Sequence, residues 1–238
     1  MNDRRYALAA GVLFIIATVA DLLGAKVRPD LSGTDYLTEV STQGSRLAAG
    51  ALLLLIAAFA CAGIAISMYP VLRRTNAGLA LGSVVFRTVE AVMYVIAVVS
   101  LLSLLTLGQQ FVSAGAADRA SLGAVGGLLL SLREHAALTG VFAFCVGAFL
   151  YYGAFFQSGL IPRWLSGWGI GAIVLMTTAG VLALFNNDAV TGYVPLALPL
   201  FLQEMVMAGW LIVKGFNREA IAPAPAGVTS YAGATAVL

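Results

Sequence analysis

Arg87 and Glu90 lie three residues apart in a run that is otherwise almost wholly apolar, from Ala77 to Leu107. On a helix this spacing puts both on one face, and Ser83 and Tyr94 extend that face into a polar stripe. A guanidinium and a carboxylate so placed can hold a ligand's polar group, carry an ion or proton, or lock helices together as a structural salt bridge. A second pair, Gln203 and Glu204, follows Pro195 and Pro199 in another apolar run. Each proline removes a backbone donor and disturbs the preceding turn, and carbonyls freed there need partners in protein or water. If Glu204 meets Arg87 and Glu90, two carboxylates face one guanidinium and one acid is prone to protonation. Asp21 with Thr18, and His135 with Thr139, each make a polar helix face. With Arg46, Arg133 and Glu134 they can outline a polar vestibule above the Arg87–Glu204 level. The ligand-binding candidates are Arg87, Glu90, Tyr94, Gln203, Glu204, Asp21 and His135, with no catalytic set among them.

Other chemistries find little to build on. One histidine, no HExxH pattern and two cysteines without CxxC spacing (Cys61 and Cys145) give no metal site. Both cysteines read as small buried apolar residues. No phosphate-binding loop, nucleophile elbow or dinucleotide fingerprint is present, so no cofactor is expected. A net charge of +2, thinly spread, leaves no footprint for nucleic acid.

The elements that must position these residues are dictated by composition. Of 238 residues, 61% are hydrophobic and 10% charged, and the mean hydropathy is +0.95. A soluble domain carries about 25% charged residues, and burial saturates with domain size, so lipid must solvate most of this chain. Crossing about 30 Å of hydrocarbon takes roughly 20 apolar residues. Six stretches qualify: Tyr6–Ala25, Leu47–Tyr69, Ala77–Leu107, Ala136–Phe156, Trp164–Phe185 and Val194–Val213. The sequence therefore predicts an all-α integral membrane protein, a six-helix bundle over residues 1–216 with a flexible tail at 217–238.

Charge between the spans predicts the orientation. Arg4, Arg5, Arg73, Arg74, Arg163, Lys214 and Arg218 fall on one side, in short, purely basic connections. Lys26, Arg28, Arg46, Arg119 and Arg133 fall on the other, diluted by Asp30, Asp35, Glu39 and Asp118. Short basic loops favour the cytoplasm, which puts both termini inside. Tyr69, Tyr151, Tyr152, Trp164, Trp168 and Trp210 lie near the cytoplasmic ends, where an aromatic belt is expected. The two longer outer connections, Lys26–Arg46 and Gly108–His135, each have room for a short extracytoplasmic helix, and the Leu128–Leu132 end of the second reads either as an extension of the fourth span or as an interfacial helix. Gly123, Gly126 and Gly127 argue against one continuous helix through the second. Gly78–Gly82 and Gly167–Gly171 match GxxxG and read as packing sites.

Several segments together resemble a known family. They are the Pro70–Arg74 turn, Leu79-Ala-Leu-Gly leading to Phe86-Arg87-Thr-Val-Glu90-Ala91, Leu160-Ile-Pro-Arg-Trp-Leu165 with Gly169, and Gln203-Glu204 followed by Trp210 to Phe216. In order and spacing they resemble the bacterial membrane-protein family catalogued as domain of unknown function 4386. The resemblance implies a six-helix protein of the bacterial inner membrane. It carries no activity to transfer, and it covers Arg87, Glu90 and Glu204.

Two functions are compatible with these residues. One is a non-enzymatic carrier, sensor or accessory protein whose interhelical polar pocket binds a lipid or small amphiphile. The other is a membrane-embedded enzyme acting on a lipid-like substrate, with Glu134, His135 or Glu204 in acid–base roles, which requires such groups to converge in one open cavity. Membrane lipids are the expected partners in either case. Charges inside the hydrocarbon are expensive and mark functional sites by default, yet buried ion pairs also serve packing specificity.

Overall fold

The computed structural model describes residues 2–217 and Ala220. The predicted tail lies almost wholly outside them. Among the described residues every regular element is helical: α1 (Asn2–Val27), α2 (Tyr36–Thr42), α3 (Gly44–Leu72), α4 (Ala77–Ser113), α5 (Ala116–Ser158), α6 (Arg163–Asn186), a single 3₁₀ turn (Val190–Tyr193) and α7 (Val194–Val213). Six of these are long and apolar enough to cross a membrane: α1, α3, α4, α5, α6, and α7 together with the 3₁₀ turn. All-round hydrophobicity drives this outcome, since a helix without a polar face must be surrounded by protein or lipid.

Local signals set the boundaries. The Asn76 side chain accepts from Leu79 N–H at 3.0 Å and opens α4. Gly159, at φ 69°, closes α5 in the left-handed conformation that glycine adopts without strain. Pro162 caps the start of α6, one residue before the helix. Pro199 lies within α7, which runs through it without a break.

The long helices pack in chain order around a ring: α1 on α3, α3 on α4, α4 on α5, α5 on α6, α6 on α7, and α7 back on α1. One end carries the start of α1, the end of α7 and the connections α3–α4 and α5–α6; we call it the terminal end, and the other the α2 end. Arg4 ties the ring shut at the terminal end, donating from Nη1 to Leu211 O at 3.0 Å and from Nη2 to Ile212 O. A cation there also complements the negative end of the α7 dipole. Asp3 pairs with Arg74 at 3.0 Å beside it.

At the α2 end the structure corrects the expected loop. Residues 108–135 hold no separate short helix; α4 continues to Ser113 and α5 begins at Ala116. The two helices, of 37 and 43 residues, reach roughly 55 and 65 Å at about 1.5 Å per residue. That far exceeds the hydrocarbon layer. Packing overrides helix propensity at the glycines. Gly126 lies against Tyr36, Leu107 and Leu37, and Gly108 lies under the Leu37 carbonyl, 2.7 Å from where a Cβ would stand. These two positions seat α2 on the α4–α5 hairpin. An aliphatic cluster fills the joint, with Val40, Leu47, Leu101 and Leu104 fully buried.

Candidate functional site

The polar stripe of α4 faces the middle of the ring. Ser83, Arg87 and Glu90 are buried, at 0%, 2% and 2% exposure, and Tyr94 is half-buried. Phe144 and Gly147 of α5 and Cys61 of α3 lie against them. Gly147 makes room for the Arg87 stem, because a Cβ there would sit 3.1 Å from Arg87 Cγ. The guanidinium lies 4.8 Å from the centre of the Phe144 ring, a cation–π contact that gains from the absence of water.

Arg87 Nη1 meets Glu90 Oε2 at 2.8 Å. Glu204, on α7, is not within 4.0 Å ion-pair distance of Arg87. It stands in the electrostatic neighbourhood of that guanidinium and beside the Tyr151 hydroxyl. Arg87 Nε, the Tyr151 hydroxyl and Glu204 Oε1 are all buried, and among the described residues none of them makes a hydrogen bond of ordinary distance and angle. Glu204 as a whole is only half-buried, unlike Tyr151 at 0% exposure. A buried polar atom without a partner costs about 1–3 kcal/mol, so these three are the costliest polar atoms of the ring's interior to leave as they are.

Gln203 has a different fate from its neighbour. Its Oε1 accepts from the Tyr152 hydroxyl, and its Nε2 donates to Leu165 O on α6 at 3.0 Å. This fully buried amide ties α5, α6 and α7 together and has the character of a structural clasp. Gly169 allows it, because any side chain there would strike the Tyr152 ring, whose Cε1 lies 2.5 Å from the ideal Cβ position.

The remaining candidates separate from this centre. Asp21 is exposed, one turn beyond the buried α1 stripe, and lies in the electrostatic neighbourhood of Tyr94 and Arg28. His135 is exposed and directs Nδ1 to Ser131 O of its own helix at 2.7 Å. Among the described residues no carboxylate comes within 4.0 Å of its ring nitrogens. Arg46 bonds Gln43 at 2.7 Å, and Arg133 pairs loosely with the adjacent Glu134 at 3.8 Å. Of the predicted vestibule, Asp21, Arg133 and Glu134 share the electrostatic neighbourhood of Arg28 or of one another, while His135 and Arg46 bond to groups of their own segments. Among the described residues no group of three His, Cys, Asp or Glu side chains could hold a metal.

Sequence reasoning missed Tyr151 and Tyr152, which it assigned to an interfacial belt. Both are fully buried, with ring centroids 4.5 Å apart. The signal was the helical spacing Gly140, Phe144, Gly147, Tyr151, an inward face alternating small and aromatic residues. Cys61 was also missed; it is half-buried and lies beside the Glu90 carboxyl. Of the GxxxG matches, only Gly82 is a tight seat, with Leu150 Cδ1 2.8 Å from its ideal Cβ, while Gly171 has open space. The best-formed clefts lie elsewhere, at the terminal end, the larger of about 310 Å³ between Gly159–Pro162 and Lys214–Asn217.

The sequence model described as domain of unknown function (DUF4386) matches residues 9–215, the whole ring and its α2 end. The chain belongs to that family. No curated protein and no solved structure matches the chain.

Proposed function

We propose that this DUF4386 protein is a non-enzymatic carrier, sensor or accessory protein whose interhelical polar pocket binds a lipid or small amphiphile. The observation that carries this reading is the trio of partnerless buried atoms, Arg87 Nε, Tyr151 Oη and Glu204 Oε1, on the inner wall of an otherwise apolar ring. Glu90, Gln203 and Tyr94 frame that pocket, and Asp21 stands toward the α2 end. The enzymatic reading requires Glu134, His135 or Glu204 to supply acid–base chemistry in one open cavity, and His135 Nδ1 instead meets Ser131 O of its own helix.

In this reading both termini are cytoplasmic. The terminal-end connections carry Arg73, Arg74, Arg163 and Lys214, the pattern that holds short loops inside. The α2 cap and the projecting ends of α4 and α5 are then extracytoplasmic. The family resemblance supports the bacterial inner membrane as location.

The test is lipid retention. Protein purified in mild detergent and analysed by native mass spectrometry should carry one amphiphile per chain. Glu204→Gln should lower that occupancy about tenfold, which is roughly 1.4 kcal/mol of binding energy, with an unchanged unfolding temperature. Equal occupancy in both proteins, or an empty wild type, would defeat the proposal.

A further inference from the structure

The three partnerless atoms also specify a head group. Arg87 Nε–H can only donate, an ionised Glu204 Oε1 can only accept, and the Tyr151 hydroxyl can do both. A group satisfying all three must donate and accept. A primary ammonium only donates, which leaves the Arg87 Nε–H without an acceptor. An ionised carboxylate or a phosphodiester only accepts, which leaves an ionised Glu204 Oε1 without a donor. An uncharged hydroxyl does both.

The ring also offers such a molecule a way out to lipid. Gly11 brings α1 hard against α7, since a Cβ there would stand 2.8 Å from Ala208 O. Away from that contact the two helices lose cover. On α1, Phe14 and Ala17 are buried, Thr18 is half-buried and Asp21 is exposed. On α7, Leu211 and Ala208 are buried, Glu204 is half-buried and Phe201 is 39% exposed. The α1–α7 seam is thus closed at the terminal end and open along its other half, with Glu204 where the opening begins.

Resting on the amphiphile-binding reading above, we propose that the ligand is a neutral, hydroxyl-headed amphiphile. Its head sits among Arg87, Tyr151 and Glu204, and its tail leaves through the α1–α7 seam into the bilayer. Water has the same hydrogen-bonding capacity and is the rival occupant.

The full chain in phosphatidylcholine nanodiscs is labelled with a 12-carbon alcohol bearing a diazirine in its tail. Dodecan-1-ol, dodecylamine and dodecanoate then compete, differing only in the head. The proposal expects saturable labelling within residues 15–25 and 197–206, with dodecan-1-ol competing at least about tenfold better than the other two. Tyr151→Phe and Glu204→Gln should each reduce labelling several-fold, the scale of one lost hydrogen bond. Tyr151→Phe removes a single oxygen and carries the test should the second variant fail to fold. If the amine or the acid competes best while labelling still depends on Glu204, the hydroxyl assignment falls and the binding reading stands. Labelling confined to other helix faces would overturn the seam. Unsaturable labelling indifferent to both variants means that water or the side chains themselves fill the site, and both readings fall.

Discussion

The centre of the ring and its α2 end hold helices together by opposite means. Around Arg87 the contacts are ionic, aromatic and amide-mediated: a guanidinium on a phenylalanine face, an i,i+3 ion pair, and Gln203 clasped between Tyr152 and Leu165. At the α2 end the joint is aliphatic, with Val40, Leu101 and Leu104 sealed over glycine seats at 108 and 126. The ion pair contributes little net stability, because desolvating both ions cancels much of their attraction. An aliphatic joint gains from every buried methylene. Polar groups that persist in the costlier environment, some without partners, are what the proposed binding role rests on.

The largest effect should come from breaking the central pair. Glu90→Ala leaves the buried Arg87 charge without its ion-pair partner, which costs about 3–5 kcal/mol. Equilibrium unfolding in mixed micelles reads this directly. Replacing both partners, Arg87→Met with Glu90→Leu, should recover most of that loss or exceed wild-type stability. If the double replacement is as damaging as the single, the pair is itself cohesive and the contrast with the α2 end disappears.

A smaller effect sharpens the other side. Gly126→Ala forces a methyl against Tyr36, Leu107 and Leu37 and should cost about 1–3 kcal/mol through overpacking. The adjacent Gly127 has nothing within 4 Å of an added Cβ, so Gly127→Ala should stabilise the helix by roughly 0.5–1 kcal/mol. Opposite signs at neighbouring positions, seen in the same unfolding assay, would separate packing from helix propensity. Equal signs would show that α2 is not seated as described.

The smallest expected effect lies in the connection before α2. Ser32 donates to Asp30 Oδ1 from its backbone N–H at 3.0 Å and from its hydroxyl at 2.8 Å, and these bonds hold the carboxyl below the usual carboxylate range. A carboxyl lowered by folding adds stability above its unfolded value, about 3.9, and that stability is lost as the pH falls through the lowered value. Ser32→Ala should bring the Asp30 titration back toward the ordinary value, with little change at neutral pH. Carbon-detected NMR of the Asp30 carboxyl would show it, and an unmoved titration would mean that the backbone bond alone suffices.

The six apolar runs and the inward stripe Ser83, Arg87, Glu90, Tyr94 were legible in the sequence, because lipid demands apolar length and a helix repeats every 3.6 residues. Those rules act along the chain, within one helix at a time. Which carboxylate pairs with Arg87 could not be read that way. Glu90 takes it, because an i,i+3 neighbour is already positioned, whereas Glu204 depends on how far α7 stands across the ring. The same limit hid the interior place of Tyr151 and Tyr152, whose rings find room only against neighbours such as Gly169 on another helix. It also hid the continuity of α5 through Gly123, Gly126 and Gly127, where helix propensity gives the wrong sign until α2 and α4 supply the packing. Span number and polar faces follow from local chemistry; partners, seams and vacant hydrogen bonds follow from contacts between segments far apart in the chain, and these exist only once the ring has closed.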